Sequence, residues 1–222
     1  MSESAVPRKV TIDIVSDAVC PWCYIGKRNL EAALAAVPDV QAEIRWRPFQ
    51  LDPTIPQGGV DRRTYLETKF GARVGELQAR VTEAGAVAGI NFTLGAISRA
   101  PNTLDAHRLV RWAWSTGAQD AIVERLFHDY FIEGKDIGDR AVLIEAARAC
   151  GMEPQVVAEL LEGDADKAEV LTEIAAAQNL GVTGVPFFVF DGKFGLPGAQ
   201  PPEVLQRTIV KALEESARDA AA

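Results

Sequence analysis

The sequence predicts an α/β protein in which a βαβ unit at the start of the chain and a ββα unit at its end build one sheet, interrupted by an all-helical insertion. Three observations predict it. Residues 9–16 and 42–49 alternate apolar and polar side chains on either side of a segment with helical spacing, and a period of two marks a strand. From about residue 61 to 180, apolar side chains recur every three or four positions with no convincing strand. Near the end, Phe187–Phe190, an Asp191-Gly192 pair and Lys193-Phe194 follow one another, the pattern of two strands joined by a tight turn.

In chain order, KVTIDIVS (9–16) sets Val10, Ile12 and Ile14 against Lys9, Thr11 and Asp13, and Val15 makes both faces apolar toward its end, so this strand is expected to be central. Cys23, Tyr24, Leu30, Ala33, Leu34 and Val37 then fall on one helical stripe that stops at Pro38. AEIRWRPF (42–49) alternates again. Strand, helix, strand in this order makes a parallel pair. QLDPTIPQGG (50–59) is rich in Pro and Gly and is expected to be a boundary loop.

The next stretch reads as five or six consecutive helices. Tyr65 to Val87 is taken as one long helical region, and the others cover 102–114, 121–131, 140–150, 154–161 and 165–180. Asp139 is a plausible N-cap for the helix at 140. After the 187–194 hairpin, Pro201-Pro202 lead into a last helix through Val204, Leu205, Ile209, Val210 and Leu213, with the tail SARDAAA expected to fray. Residues 9–60 and 181–217 thus form one discontinuous unit and 61–180 a helical insertion. Neither half of the first unit has enough strands to stand alone, so the two should pair.

Composition removes several function classes. The chain has 222 residues, 48% hydrophobic and 24% charged, with a formal net charge of −8. An acidic chain without a basic run is a poor match to nucleic acid. No apolar stretch approaches the ~20 residues that cross a bilayer, so no membrane is expected. MSESAVPRKVTIDIVSD lacks the plan of a signal peptide. The expected location is the cytoplasm, where a close cysteine pair is more often catalytic or metal-binding than a permanent disulfide. Nothing in the sequence specifies an oligomeric state.

The chemistry concentrates in DAVCPWCYIG. Cys20 and Cys23 stand three apart at the start of the first helix, a spacing that brings two Cβ atoms within disulfide reach. Pro21 suits the first turn, where its missing N–H has no partner to lose. The partial positive charge of a helix N-terminus favours an anion, so Cys20 is expected to be the accessible, nucleophilic sulfur. Cys23, one turn further in, is expected to be more buried and less acidic. Zinc would need three or four ligands, and no second CxxC or CxxH is present; Cys150, His107 and His128 could join only by coincidence of folding. Pro186, heading an apolar run, reads on its own as a trans proline opening a strand.

CPWC after a first strand, a helical insertion and then GVPFFVF resemble the DsbA-like branch of the thioredoxin superfamily, most closely the FrnE-type dithiol–disulfide oxidoreductases. The resemblance spans nearly the whole chain, through SDAVCPWCYIGKRNLE, WRPFQLDP, SRAPNTLDAHRL and GVTGVPFFVFDGKFGLPGAQPPEVL. It implies a thioredoxin-like fold, a redox-active Cys20–Cys23 disulfide, a cis Pro186 packed against the dithiol, and main-chain hydrogen bonding of Val185 to substrate. Pro21 and Trp22, between the cysteines, are then substrate-facing. Asn102 and His107, five apart in PNTLDAHRL, differ by about 140° on a helix, so one could face the cleft while the other does not; a hydrogen-bonded helix histidine is the plainer reading of His107. Asp17 either turns the chain or assists proton transfer.

The resemblance implies thiol or disulfide substrates, protein or small molecule, with no bound cofactor and with glutathione as a possible co-substrate. The same branch contains glutathione-dependent members, the kappa-class transferases and 2-hydroxychromene-2-carboxylate isomerases, which usually carry serine where Cys20 stands; they supply the alternative function. A non-catalytic binding protein using the helical block is a third reading. Trp46, Trp112 and Trp114 are expected in the core or an interface, and Cys150 as a small buried hydrophobe.

Overall fold

The computed structural model describes residues 8–221, so residues 1–7, on which the reading of the N-terminus partly rests, lie outside the described residues, as does Ala222. The chain runs β1 (Arg8–Ser16), α1 (Pro21–Ala35), β2 (Val40–Pro48), β3 (Val60–Asp61), α2 (Arg62–Phe70), α3 (Val74–Val87), β4 (Arg99–Ala100), α4 (Leu104–Ser115), α5 (Gln119–Phe131), α6 (Arg140–Ala149), α7 (Pro154–Glu162), α8 (Lys167–Asn179), β5 (Phe187–Phe190), β6 (Phe194–Pro197) and α9 (Pro202–Ala221).

The main sheet has the order β2-β1-β5-β6. β1 is central, pairing in parallel with β2 (Ile12 opposite Ile44, Ile14 opposite Trp46) and antiparallel with β5 (Ile12 opposite Phe190, Ile14 opposite Phe188). The two ends of the chain therefore complete one sheet, and its central strand is apolar because both faces are covered. The β5–β6 connection has three residues, with Asp191 at φ 50° and Gly192 at φ 67°, and the Lys193 N–H closes it on the Phe190 carbonyl at 2.9 Å; left-handed residues are what tight hairpin connections use.

α9 lies beside α1 and against β1, burying Leu205, Ile209 and Ala212 completely. It continues as helix through Ala221, where fraying was the expectation. The insertion is tied to the sheet by aromatic packing. Tyr24 of α1 stacks on Phe127 of α5 with ring centres 5.0 Å apart, and Trp46 of β2 meets the same Phe127 edge-on at 6.3 Å. Lys27, nearly buried, adds charge contacts from α1 to Asp120 (3.1 Å) and Glu124 (3.2 Å) of α5. Asp139 caps α6, accepting from the Ala141 N–H at 2.8 Å.

Two details of the insertion depart from the sequence reading. It is not purely helical: β3 and β4 form a two-residue antiparallel ribbon (Val60 opposite Ala100, Asp61 opposite Arg99), too short for any alternation to register. Nor is 65–87 one helix. Gly71, at φ 57°, ends α2, and a 3-10 turn (Gly71–Arg73) leads into α3, so seven α-helices lie between β3 and β5.

Candidate active site

Cys20 is the N-cap of α1, in extended conformation (φ −93°, ψ 111°), and its N–H bonds the Asp17 carbonyl at 2.9 Å. Pro21 occupies the first helical position, where the absence of an N–H costs nothing. One turn on, the Cys23 N–H bonds the Cys20 carbonyl at 3.0 Å. Both cysteines are free thiols.

Cys23 is buried, 1% exposed. Burial pushes its thiol well above the ordinary range, and the hydrogen bond and charge of Cys20 push in the same direction, against smaller opposing bonds from the Ser16 side chain and the Asp17 main chain. Cys20 is less open than the sequence suggests, only 4% exposed. A helix N-cap is usually at the surface, but here the 184–185 loop folds over it. Cys20 lines a cavity of about 530 Å³ together with Pro21, Trp22, Gly184 and Val185.

The Val185–Pro186 peptide bond is cis, unlike the trans strand-opener that the residues alone suggest. The Cys20 thiol donates to the Val185 carbonyl at 3.5 Å. Pro186 is buried behind the site, where its Cγ would lie 3.0 Å from a Cβ placed on Gly26 of α1. The proline and the redox helix are therefore in contact only because residue 26 has no side chain. The remaining cavity wall comes largely from the insertion, including Leu66, Phe70, Leu77 and Val81 of α2 and α3. Its volume lies within the ~300–1,000 Å³ typical of small-molecule sites.

Asn102 and His107 are not on that wall. Asn102 precedes α4, so the helical angle between the two does not apply. Its amide donates to the Ile55 carbonyl at 2.7 Å, and its oxygen accepts from Gln50 (3.2 Å) and from the Leu104 N–H (2.9 Å). It holds the 50–55 loop, which borders the cavity, and starts α4. His107, 5% exposed, lies beneath the site with Nε2 3.4 Å from Asp17 Oδ1. Asp17 Oδ2 accepts from the Leu51 N–H at 2.8 Å. Pairing over ninety positions leaves no periodic signal in the sequence.

Other side chains are placed differently from expectation. Trp114, near the end of α4, is 48% exposed, with Arg45 over its ring at 5.7 Å. Cys150 is half-buried rather than sealed. Among the described residues, metal-ligand spacing occurs at His128, Asp129 and Glu133, far in sequence from the dithiol, and Asp129 is already bonded by Arg125 (2.9 Å) and Lys135 (3.0 Å). No described helix is long and apolar enough to cross a membrane.

Comparison with known proteins gives a consistent picture. The family model described as a DSBA-like thioredoxin domain matches residues 11–210. The crystal structure of a probable DsbA oxidoreductase from Streptomyces coelicolor superposes with a TM-score of 0.84 at 33% identity, covering 93% of this chain and 91% of that one. A Bacillus subtilis protein, YwbO, described as uncharacterized, is 26% identical over 201 residues, 90% of this chain and 96% of its own. The cytosolic disulfide reductase DsbM from Pseudomonas aeruginosa, solved with GSH, has a TM-score of 0.61 at 18% identity, covering 92% of this chain and 99% of that one, a likeness of fold.

Proposed function

The chain belongs to the DSBA-like thioredoxin domain family, and we propose that it acts there as a thiol–disulfide oxidoreductase of the FrnE type, with Cys20 and Cys23 as its redox pair. In the reducing direction the Cys20 thiolate attacks a substrate disulfide and forms a mixed disulfide, one substrate sulfur leaving as thiolate. Cys23 then attacks Cys20, closing the Cys20–Cys23 disulfide and releasing the second substrate thiol. Run backward, the same steps oxidise a substrate dithiol. The electrons stay on sulfur throughout, so no bound cofactor is invoked.

The observation that supports this reading is Cys20 lining the cavity with its Sγ 3.5 Å from the Val185 carbonyl, and Cys23 buried one turn behind it. Val185's main chain then flanks the bound disulfide, Pro186 shapes the loop, and Pro21 and Trp22 touch substrate. Asn102 and His107 serve from behind the wall. The apolar lining suits a small organic disulfide or an apolar side chain of a protein substrate, and glutathione is the co-substrate that returns the pair to its starting state. We place the protein in the cytoplasm, on the absence of a disulfide framework among its three cysteines.

The test is reduction of an aromatic disulfide by the parent and by Cys20→Ser. Loss of about 10²-fold or more in the variant is expected, since a serine hydroxyl is a far weaker nucleophile than a thiolate at neutral pH; equal rates would discard the proposal. Glutathione binding that survives Cys20→Ser, with no disulfide reduction by the parent, would favour a glutathione-dependent isomerase or transferase instead.

A further inference from the structure

The cavity that Cys20 lines is apolar over most of its wall, yet three cations stand on it: Arg62 and Lys69 of α2 and Arg80 of α3. The chain as a whole is acidic, with a net charge of −8, but only two acids share the wall, Asp17 and Asp52. Both are engaged. Asp17, 1% exposed, accepts from the Leu51 N–H at 2.8 Å and faces His107. Asp52 accepts from the Thr54 N–H at 3.1 Å and lies 3.9 Å from Lys69 Nζ. Lys69 in turn donates to the Tyr65 hydroxyl at 2.7 Å and lies over the Tyr65 ring.

Arg62 and Arg80 are left over. Neighbouring cations have acids, since Arg63 pairs with Glu67, Lys69 with Asp52 and Arg99 with Asp136. Among the described residues no carboxylate is in ion-pair contact with Arg62 or Arg80. Arg62 is half-buried, and its Nη1 donates to the Leu94 carbonyl at 3.1 Å, which holds the guanidinium in place and uses one of its five donors. Withdrawing a charge from water is costly unless a partner of opposite sign compensates it. Two unmatched cations on walls of low polarity also focus a positive potential into the space they enclose.

We propose that the thiols and disulfides exchanged at this site carry a carboxylate on an apolar body. Arg62 and Arg80 hold the carboxylate, the body lies on Leu66, Phe70, Leu77 and Val81, and the sulfur meets Cys20. The proposal rests on the oxidoreductase reading and narrows its substrate class. A guanidinium binds a carboxylate through two parallel N–H···O bonds, so Arg62 and Arg80 are specificity-determining residues that touch substrate away from the reacting sulfurs. A neutral disulfide leaves Arg62 partly desolvated and unpaired. A hydrophilic acid pairs the arginines but leaves the apolar wall uncovered. The exchange itself is unchanged. Cys20 bonds one substrate sulfur as the substrate S–S bond breaks, and the other half leaves as thiolate. Cys23 then bonds Cys20, releasing the second thiolate, and the two cysteine protons pass to solvent.

The test mixes the reduced full-length protein with three disulfides. Dithiobis(nitrobenzoate) is an aromatic dicarboxylate, dithiodipyridine is aromatic without an acid group, and glutathione disulfide carries carboxylates on a hydrophilic peptide. Each rate is divided by that of the same disulfide with dithiothreitol, which removes intrinsic reactivity. The parent is expected to favour dithiobis(nitrobenzoate) over each of the others by about 10-fold, a preference over dithiodipyridine that shrinks as salt screens the arginines. Arg62→Gln should lower the ratio of dithiobis(nitrobenzoate) to dithiodipyridine by about 10-fold, and Arg80→Gln, at an exposed position, by about 2- to 5-fold. A merely structural role would slow both disulfides equally and leave the ratio where it was. An unchanged ratio in both variants, or a parent that favours dithiodipyridine or glutathione disulfide, would overturn the proposal. Should Arg62→Gln lose its near-ultraviolet circular dichroism, Arg80→Gln decides. A parent that reacts with none of the three at Cys20 would end the oxidoreductase reading and this proposal with it, whereas one that reacts with all three without preference would end this proposal alone.

Discussion

Cys20 and Cys23 are chemically identical side chains three positions apart, and the fold makes them different. Cys23 is enclosed, and its thiol is raised well above the ordinary value of 9.0 by burial first and by its neighbour second. A raised value in the folded state means that the native protein holds this proton more tightly than the unfolded chain. Stability from it is fully present below about pH 9 and is lost as pH climbs toward the folded value. The reduced parent should therefore lose stability above that pH more steeply than Cys23→Ala, read as the shift in denaturant midpoint; equal slopes would contradict the burial account. The importance of this cysteine pair is legible in the sequence because helical geometry alone brings positions i and i+3 together. The Asp17–His107 pairing is not, since it depends on how the insertion docks. The helical angle drawn between Asn102 and His107 fails for a local reason: Asn102 stands just before α4, where helical angles have no meaning.

At the scale of elements, α1 and the loop leading into β5 are pressed together at a single point. A Cβ on Gly26 would sit 3.0 Å from Pro186 Cγ and 3.2 Å from Phe188 Cζ. Gly26→Val should cost about 1–3 kcal/mol of stability by overpacking and should also reduce disulfide exchange, because the displaced loop carries Val185. Thermal unfolding and activity of the same variant check both; full stability with full activity would show that the contact has room to give. The elements themselves are largely legible from the sequence. Strong periodicity marks β1, α1, β2 and α9, and Asp191-Gly192 marks the hairpin. The β3–β4 ribbon escapes because two residues carry no period, and the break after Phe70 because Gly71 acts through its positive φ rather than through hydrophobicity.

At the scale of the whole molecule, the insertion supplies what the sheet and its two covering helices lack. The sheet unit holds the thiols and the cis proline; α2 and α3 supply the apolar side of the cavity above Cys20, and α4 supplies His107 beneath it. Tyr24, Trp46, Phe127 and Phe131 belong to one hydrophobic core that crosses the boundary between the two parts, which fixes the cavity wall relative to the sulfur. The two-part organisation can be read from the change of period along the chain. The cavity cannot, because its walls are contributed by segments more than a hundred residues apart. The most direct measurement of the central claim is to treat the Cys23→Ser protein with an aromatic disulfide and locate the adduct by peptide mass spectrometry. The account predicts one mixed disulfide, on Cys20, reversed by added thiol; an unmodified Cys20, or an adduct on Cys150 alone, would contradict it.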